Sequence, residues 1–133
     1  MLEGTTPAQR ASYTSVDRVS RGDREGWLDL FDDDAVVEDP VGVSPLDPAG
    51  KGHRGKIAIG AFWDNVISTN ASWSYRIDQS FPRGDECANW WTCWSERPDG
   101  TVVEVPMITL YKVDDSGKLV SLRAFWDAAR WSE

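Results

Sequence analysis

The stretch that decides the fold is Gly22–Gly42, which reads GDREGWLDLFDDDAVVEDPVG. Its first half predicts a short helix, because Asp23 is a favourable N-cap residue and stands ahead of large apolar residues. This helix is expected to carry Trp27, Leu28, Leu30 and Phe31. The three consecutive aspartates that follow Phe31 are expected to end the helix and to be exposed to solvent.

The second half of the stretch predicts a strand that ends at an acidic residue. Ala35–Asp39 is short and rich in valine, and Pro40 stops it because proline cannot donate a hydrogen bond to a sheet. The glycine- and proline-rich segment Val41–Gly55 is then expected to form a long irregular loop, and loops of this length in compact domains are often functional. Lys56–Ile67 is expected to be a helix with several apolar positions.

A further helix is predicted before the deciding stretch. Thr5-Thr6-Pro7 combines a hydroxyl cap with proline in the first turn, and the helix is expected to run to about Arg21. Its apolar residues Tyr13, Val16 and Val19 recur at every third position, which indicates one buried stripe.

Strand patterns follow the helices and complete an α+β domain. Asp99-Gly100 is a hairpin turn signal, and alternating apolar residues mark the segments on either side of it. Three helices followed by a curved antiparallel meander predict helices that cover one face of the sheet. We expect one domain over residues 1–133, with about residues 1–6 flexible. The predicted strands are Ala71–Phe81, Cys87–Glu96, Thr101–Val113 and Leu119–Asp127.

Composition and charge exclude several classes of partner. The net charge of −8 argues against nucleic acid and against anionic lipid, since both need cationic surfaces. We see no apolar run of about 18 residues and no signal peptide, so the expected location is the cytoplasm. Cys87 and Cys93 share a face of one predicted strand too far apart for a disulfide, and we expect no metal site.

The eight tryptophans are the unusual feature of the composition. A core of this size needs two or three, so the remainder predict either an aromatic-lined cavity or a subunit interface. His53 is the sole histidine and lies in the loop after Asp39, where it is either a proton shuttle or a solvated side chain.

Three stretches together resemble the bacterial ketosteroid isomerases. They are Gly22–Gly42, His53–Trp63 and Asp115–Trp126, which match in order the approach to the catalytic aspartate, the third helix and the final hairpin of that family. The likeness extends to the wider nuclear transport factor 2-like, or SnoaL-like, superfamily. It implies a cone-shaped barrel of a curved antiparallel sheet packed on three N-terminal helices.

The resemblance also implies a chemistry of proton transfer next to a carbonyl group, without a cofactor. In those isomerases a carboxylate moves the proton, while a tyrosine and a protonated aspartate stabilise the dienolate oxygen. Asp39 matches the carboxylate. The two donor positions fall on Ser15 and Thr109, and Tyr13 lies about 200° round the helix from Ser15. From spacing alone, Asp39 could equally bond the loop that follows it.

The same resemblance implies the walls of an apolar pocket. Such a wall favours a steroid-like or polyketide-like small molecule, although the same residues could instead fill a core. Three functions stay open: an isomerase with Asp39 as base, a non-catalytic ligand-binding protein, and a SnoaL-like cyclase or a related lyase or hydrolase. The fold also implies a homodimer through the open sheet face. The expected wall residues are Val19, Phe31, Phe62, Trp63, Val105, Met107, Leu122, Ala124 and Trp126.

Overall fold

The computed structural model describes residues 3–131 and the side chains of residues 3–129. It consists of one six-stranded sheet with helices on one of its faces. No helix in the described part of the chain is long and apolar enough to cross a membrane. The helices are α1 (Pro7–Ser20), α2 (Arg24–Leu28), α3 (Gly55–Asn65) and α4 (Ala128–Trp131), with a turn of 3₁₀ helix at Ile67–Thr69.

Helix α1 begins where the sequence predicts, at a hydroxyl cap. The side chain of Thr6 accepts a hydrogen bond from the backbone N–H of Gln9, and Pro7 occupies the first helical position. The backbone N–H of Thr5 donates to Oε1 of Gln9 at 2.8 Å. Residues 5 and 6, which we expected to be flexible, are therefore tied to the first turn of the helix.

The deciding stretch changes from helix to strand earlier than its sequence predicts. Helix α2 ends at Leu28, and strand β1 spans Phe31–Glu38, so the three aspartates lie in the strand and do not close the helix. The reason is tertiary, because Phe31 pairs with Leu119 and the Leu119 N–H donates to the carbonyl of Leu30. Local helix propensity could not reveal a partner about ninety residues away in the chain.

The sheet is mixed, which corrects the expectation of a wholly antiparallel sheet. Besides β1, the strands are β2 (His53–Arg54), β3 (Ser72–Arg83), β4 (Glu86–Glu96), β5 (Val102–Val113) and β6 (Leu119–Phe125). Their order in the sheet is β2-β1-β6-β5-β4-β3, and β1 runs parallel to β6. The short strand β2, which the sequence did not reveal, pairs with β1 through Val36 and Val37. The sheet curves but does not close on itself.

The antiparallel meander from β3 to β6 has one face toward the helices and one toward solvent. A bulge at Asp78 shifts the register of β3, so that Ile77 pairs with Trp91 and Ser80 with Asn89. Bulges of this kind add one residue and redirect the side chains that follow. Here the bulge turns Ser80 toward the buried Asn89, to which it hydrogen bonds.

The core lies between the inner face of the sheet and helices α1 to α3. Trp27 is 1% exposed and packs its indole against the rings of Phe31 and Trp63, at centroid distances of 4.8 and 5.4 Å. Cys87 and Cys93 are free thiols, and both are buried.

Gly52 provides a test of how tightly β1 is held at the edge of the sheet. Its φ is +82°, and a Cβ there would lie 2.8 Å from Val36 and 2.9 Å from Glu38. We expect Gly52→Ala to lower the free energy of unfolding by about 2–4 kcal/mol, from backbone strain plus crowding of β1. Gly84→Ala, with φ +61° and open space around it, is the control. If urea unfolding showed that Gly52→Ala and Gly84→Ala lose the same free energy of unfolding, the crowding of β1 by a Cβ at position 52 would be contradicted.

Candidate functional site

An apolar cavity lies between the inner face of the sheet and helices α1 and α3. Its empty space amounts to about 720 Å³ when the open mouth and adjoining solvent are counted. Most of its wall is aliphatic or aromatic, with a few polar groups placed among these residues. The lining residues are Ser15, Val16, Val19, Trp27, Asp39, Phe62, Val66, Ile67, Trp73, Tyr75, Trp91, Val105, Met107, Thr109, Tyr111, Leu122, Ala124 and Trp126.

Asp39 supplies the carboxylate of this cavity. It follows the last residue of β1, and Trp126 follows the end of β6, the strand that runs parallel to β1. The indole Nε1 of Trp126 donates to Oδ1 of Asp39 at 2.5 Å. Next to this pair, the Val41 N–H donates to the carbonyl of Ala124 and holds the chain that leaves the strand.

The surroundings of Asp39 make it a stronger base than an ordinary aspartate. Burial among apolar residues raises the pKa of Asp39 to about 6, and the hydrogen bond from Trp126 opposes that rise. Burial dominates because an apolar wall cannot solvate the carboxylate, whereas one indole N–H stabilises it in part. Asp39 is thus ionised at neutral pH and close to the pKa that suits general-base catalysis there.

Ser15 is buried on α1 and faces the cavity. Its Oγ accepts hydrogen bonds from Nε1 of Trp27 and from Oη of Tyr111, both at 3.1 Å. Burial raises the pKa of Tyr111, with the charge of Asp39 adding to the effect, so its phenol stays protonated. The hydroxyls of Ser15 on α1 and Tyr111 on β5 are therefore hydrogen bonded to each other, and both residues line the cavity.

Thr109 lies on β5, and its hydroxyl belongs to a second polar group. Its Oγ1 accepts a hydrogen bond of 2.6 Å from Nε1 of Trp91 and one of 3.3 Å from Nδ2 of Asn89. Asn89 is 1% exposed. The hydroxyl of Thr109 is thus fixed by groups on the neighbouring strand.

Tyr75 and Cys93 form a directly opposed pair on β3 and β4. Burial raises the pKa of Tyr75 well above its ordinary value. Burial likewise raises the pKa of the Cys93 thiol to about 12. Both groups are therefore neutral at physiological pH, and Cys93 lacks the thiolate character of a reactive cysteine.

The structure places most of the sequence-predicted residues on the cavity wall. Two expected wall residues, Phe31 and Trp63, lie behind Trp27 in the core instead. Tyr13 lies in a separate depression between α1 and the β3–β4 edge of the sheet, so Ser15 is the α1 hydroxyl that meets the cavity. The predicted residues that do line the cavity are Asp39, Ser15, Thr109, Val19, Phe62, Val105, Met107, Leu122, Ala124 and Trp126.

Sequence reasoning missed the hydrogen-bond partners of these polar groups. The sequence identifies Trp27 and Trp91 only as members of a large set of tryptophans, and its pattern does not single out Tyr111. One signal was available for Tyr111, because it stands two residues after Thr109 in the same strand and therefore on the same face. The pairing of an indole with a particular hydroxyl has no signature in the sequence.

The remaining candidate, His53, lies outside the cavity wall. Its ring packs on Phe62 with centroids 5.0 Å apart, and its buried Nε2 has no hydrogen-bond partner. No group of three or more His, Cys, Asp or Glu side chains that could hold a metal ion occurs within residues 3–129.

The sequence also places the chain in a known protein family. A family model described as SnoaL-like domain matches residues 13–122. The chain belongs to the SnoaL-like domain family, whose fold is nuclear transport factor 2-like. None of the curated proteins compared with the chain is similar enough to match.

Two proteins with solved structures and similar sequences come from mycobacteria. Rv0760c from Mycobacterium tuberculosis, solved in complex with estradiol-17beta-hemisuccinate, is 38% identical with a TM-score of 0.87, and the match covers 95% of this chain and 98% of that one. A Delta 5-3-ketosteroid isomerase from Mycobacterium sp. is also 38% identical, with a TM-score of 0.88 over 95% and 97%. The fold is further shared with SalBIII, an epoxide hydrolase/cyclase-like enzyme at 18% identity, TM-score 0.77 and 92% coverage of both chains.

The raised pKa of Asp39 predicts a specific dependence of stability on pH. The folded state holds the Asp39 proton up to about pH 6, whereas the unfolded chain releases it near 3.8. Between these values the folded state binds more protons, so ionisation of Asp39 lowers the stability of the wild type as pH rises. At pH 7 we expect Asp39→Asn to be more stable than the wild type by about 1–3 kcal/mol.

That advantage of Asp39→Asn should be nearly gone at pH 3.5, where Asp39 is protonated in the folded state and mostly protonated in the unfolded chain. Urea unfolding at the two pH values measures it. Asp115→Asn, at an exposed turn position, controls for the change in net charge. An advantage for Asp39→Asn that is the same at both pH values would show that burial does not raise the Asp39 pKa.

Proposed function

We propose that this protein binds an apolar ketone of steroid-like size and moves a proton on the carbon next to its carbonyl, with Asp39 as the general base. The observation that carries the proposal is the carboxylate of Asp39 on an apolar cavity wall, with its pKa raised to about 6 and one indole donor on its oxygen. Relatives that include a ketosteroid isomerase support the reaction type.

The polar groups of the cavity support a division of roles in this reaction. Asp39 takes the proton, and hydroxyl groups at Ser15 and Thr109 face the same cavity as hydrogen-bond donors to the oxygen on which negative charge develops. Donors placed where charge develops lower the barrier because they need no reorganisation. The reaction needs neither metal nor cofactor, since the proton returns from Asp39 to the same molecule.

The rate of proton transfer gives the first test of the proposal. A Δ5-3-ketosteroid should be converted by the wild type, and kcat/KM should rise with pH and level off above about pH 6, because only ionised Asp39 accepts a proton. Asp39→Asn should lower kcat at least about 100-fold with binding retained, since it removes the base and keeps the shape. Asp115→Asn should not change the rate. Equal rates for Asp39→Asn and the wild type would exclude Asp39 as the base.

The two hydroxyl donors favour a second candidate, a ligand-binding protein without turnover. Ser15 and Thr109 are aliphatic alcohols and hence weaker acids than a phenol or a carboxylic acid, and loss of one good donor costs about 100–1,000-fold in rate. If the protein is a ligand-binding protein without turnover, the wild type and Asp39→Asn should bind the ketone with equal affinity, and neither should convert it. If the protein converted a polyketide ester and did not convert the ketone, the result would instead support a SnoaL-like cyclase.

We also propose that the protein forms a homodimer through the outer face of the sheet. Trp90, Ile108 and Phe125 pair directly across β4, β5 and β6 and form an apolar band on that face. They are 47%, 43% and 40% exposed. Apolar residues grouped on an exposed sheet face are typical of interaction surfaces.

Sedimentation equilibrium tests the dimer directly. We expect the wild type to sediment at twice the mass of the chain and Ile108→Glu to sediment as a monomer, because a charge in the middle of the band would have to be buried on association. Val43→Glu introduces the same charge at a side chain that is 77% exposed in the long loop, and it should leave the dimer intact. A monomeric wild type would refute this interface.

A further inference from the structure

A second hollow lies between α1 and the β3–β4 edge of the sheet, and the function proposed above makes no use of it. Its empty space amounts to about 510 Å³ when the adjoining solvent is counted. Asp39, Ser15 and Thr109 are not part of its wall. We call this hollow the α1–β3 depression, and its lining residues are Tyr13, Val16, Asp17, Ser20, Tyr75, Ile77 and Trp91.

One layer of side chains separates the α1–β3 depression from the apolar cavity. Val16, Tyr75 and Trp91 line both hollows. By contrast, Tyr13 and Asp17 line the depression and not the cavity. The depression is therefore a neighbour of the cavity with a wall of its own, and it can hold a molecule while the cavity holds another.

The apolar part of this wall is built from aromatic rings. The rings of Tyr13 and Tyr75 both pack edge-on with Trp91, at centroid distances of 6.1 and 6.4 Å and interplanar angles of 78° and 74°. Aromatic rings favour such edge-to-face contacts. Ile77 pairs with Trp91 across the two strands and adds aliphatic surface. This surface suits a ligand with a flat apolar ring.

The hydroxyl of Tyr13 is a polar group without a partner in this hollow. Tyr13 is only 8% exposed, yet its hydroxyl makes no hydrogen bond with any residue that the structure describes. The unpaired polar side-chain atoms that are sealed from solvent belong to His53 and Ser95. The Tyr13 hydroxyl is not one of them, so it is in contact with open space, and Tyr13 borders the depression. Its O–H is thus available to a bound molecule.

The other polar groups of the depression are hydrogen-bond acceptors. Asp17 follows Tyr13 by four residues and lies on the same face of α1. Its carboxylate accepts from Arg18 and Arg21 at 3.0 and 3.1 Å, which balances its charge, while a carboxylate can accept about four hydrogen bonds. The Ser20 hydroxyl donates to the carbonyl of Asp17 at 2.8 Å, so its oxygen is left as an acceptor. A neutral ligand that brings a proton of its own fits this set.

We propose that the α1–β3 depression is a second binding site, which takes a small neutral aromatic compound with a hydroxyl group. The ring of this phenol packs on the aromatic wall, and its hydroxyl forms a hydrogen bond with that of Tyr13, which can donate or accept. Asp17 and Ser20 offer further acceptors for its proton. The site goes beyond the proposed function, because it uses neither Asp39 nor the hydroxyls of the cavity.

The test uses 2-naphthol and naphthalene, which share their rings and differ in one hydroxyl. Calorimetry should show that Tyr13→Phe weakens the binding of 2-naphthol about 3–10-fold, the range that one hydrogen bond produces, and leaves that of naphthalene unchanged. Tyr111→Phe is the matched control, because it removes the same atom from a phenol of the cavity wall. It should leave the affinity for both probes unchanged.

Two further measurements locate the bound 2-naphthol. Protein saturated with a steroid ketone should still bind 2-naphthol, because the ketone fills the cavity and not the depression. In two-dimensional NMR spectra, 2-naphthol should shift the backbone N–H signals of Tyr13, Asp17 and Ile77. These spectra use the wild type and provide the test if Tyr13→Phe does not fold.

The outcomes separate this site from the proposed function. If 2-naphthol did not bind, or bound equally to Tyr13→Phe and the wild type, the site would be overturned and the Tyr13 hydroxyl would face water alone. Weaker binding in Tyr111→Phe, or displacement by the ketone, would place 2-naphthol in the cavity and would also overturn it. Binding that depends on Tyr13 in a protein that converts no ketone would support this site and remove proton transfer by Asp39.

Discussion

The hydrogen bond between Trp126 and Asp39, at the border of an apolar cavity, is the interaction on which the site depends. It exists because β1 and β6 run parallel, so that the residues following both strands emerge at the same edge of the sheet. The indole holds the carboxylate in place and stabilises its ionised form in part, while the surrounding apolar wall disfavours that form. The result is an aspartate that is ionised at neutral pH yet more basic than one in water.

The tryptophan content of the chain now has a structural explanation. Trp27, Trp91 and Trp126 combine large apolar surfaces with one N–H each, and the N–H is used at a polar group of the cavity. Trp63 packs in the core, and Trp90 lies on the outer face of the sheet, so the tryptophans whose side chains are described are found in the cavity, in the core and on the surface. Most of the wall of such a cavity is apolar, and hydrogen bonds from the indoles hold its few polar groups in place.

Much of the fold was predictable from local patterns. The hydroxyl cap and proline at the start of α1, the valine-rich strand before Pro40 and the hairpin at Asp99-Gly100 are local signals, and each element forms at the expected place within a few residues. The three aspartates after Phe31 were placed wrongly, because their strand forms through parallel pairing with a distant segment. The bulge at Asp78 and the short strand β2 also depend on pairing that no local pattern encodes.

For the site, the sequence determined which chemistry is available, and the tertiary structure decided how it is arranged. The order of motifs singles out Asp39, Ser15 and Thr109, because the resemblance to the ketosteroid isomerases matches these positions to the functional positions of that family. The sequence could not determine that Ser15 faces the cavity while Tyr13 does not, since that depends on how α1 rotates against the sheet. Nor could it determine which indole meets which hydroxyl, because each such contact joins side chains brought together only when the sheet curves around the helices.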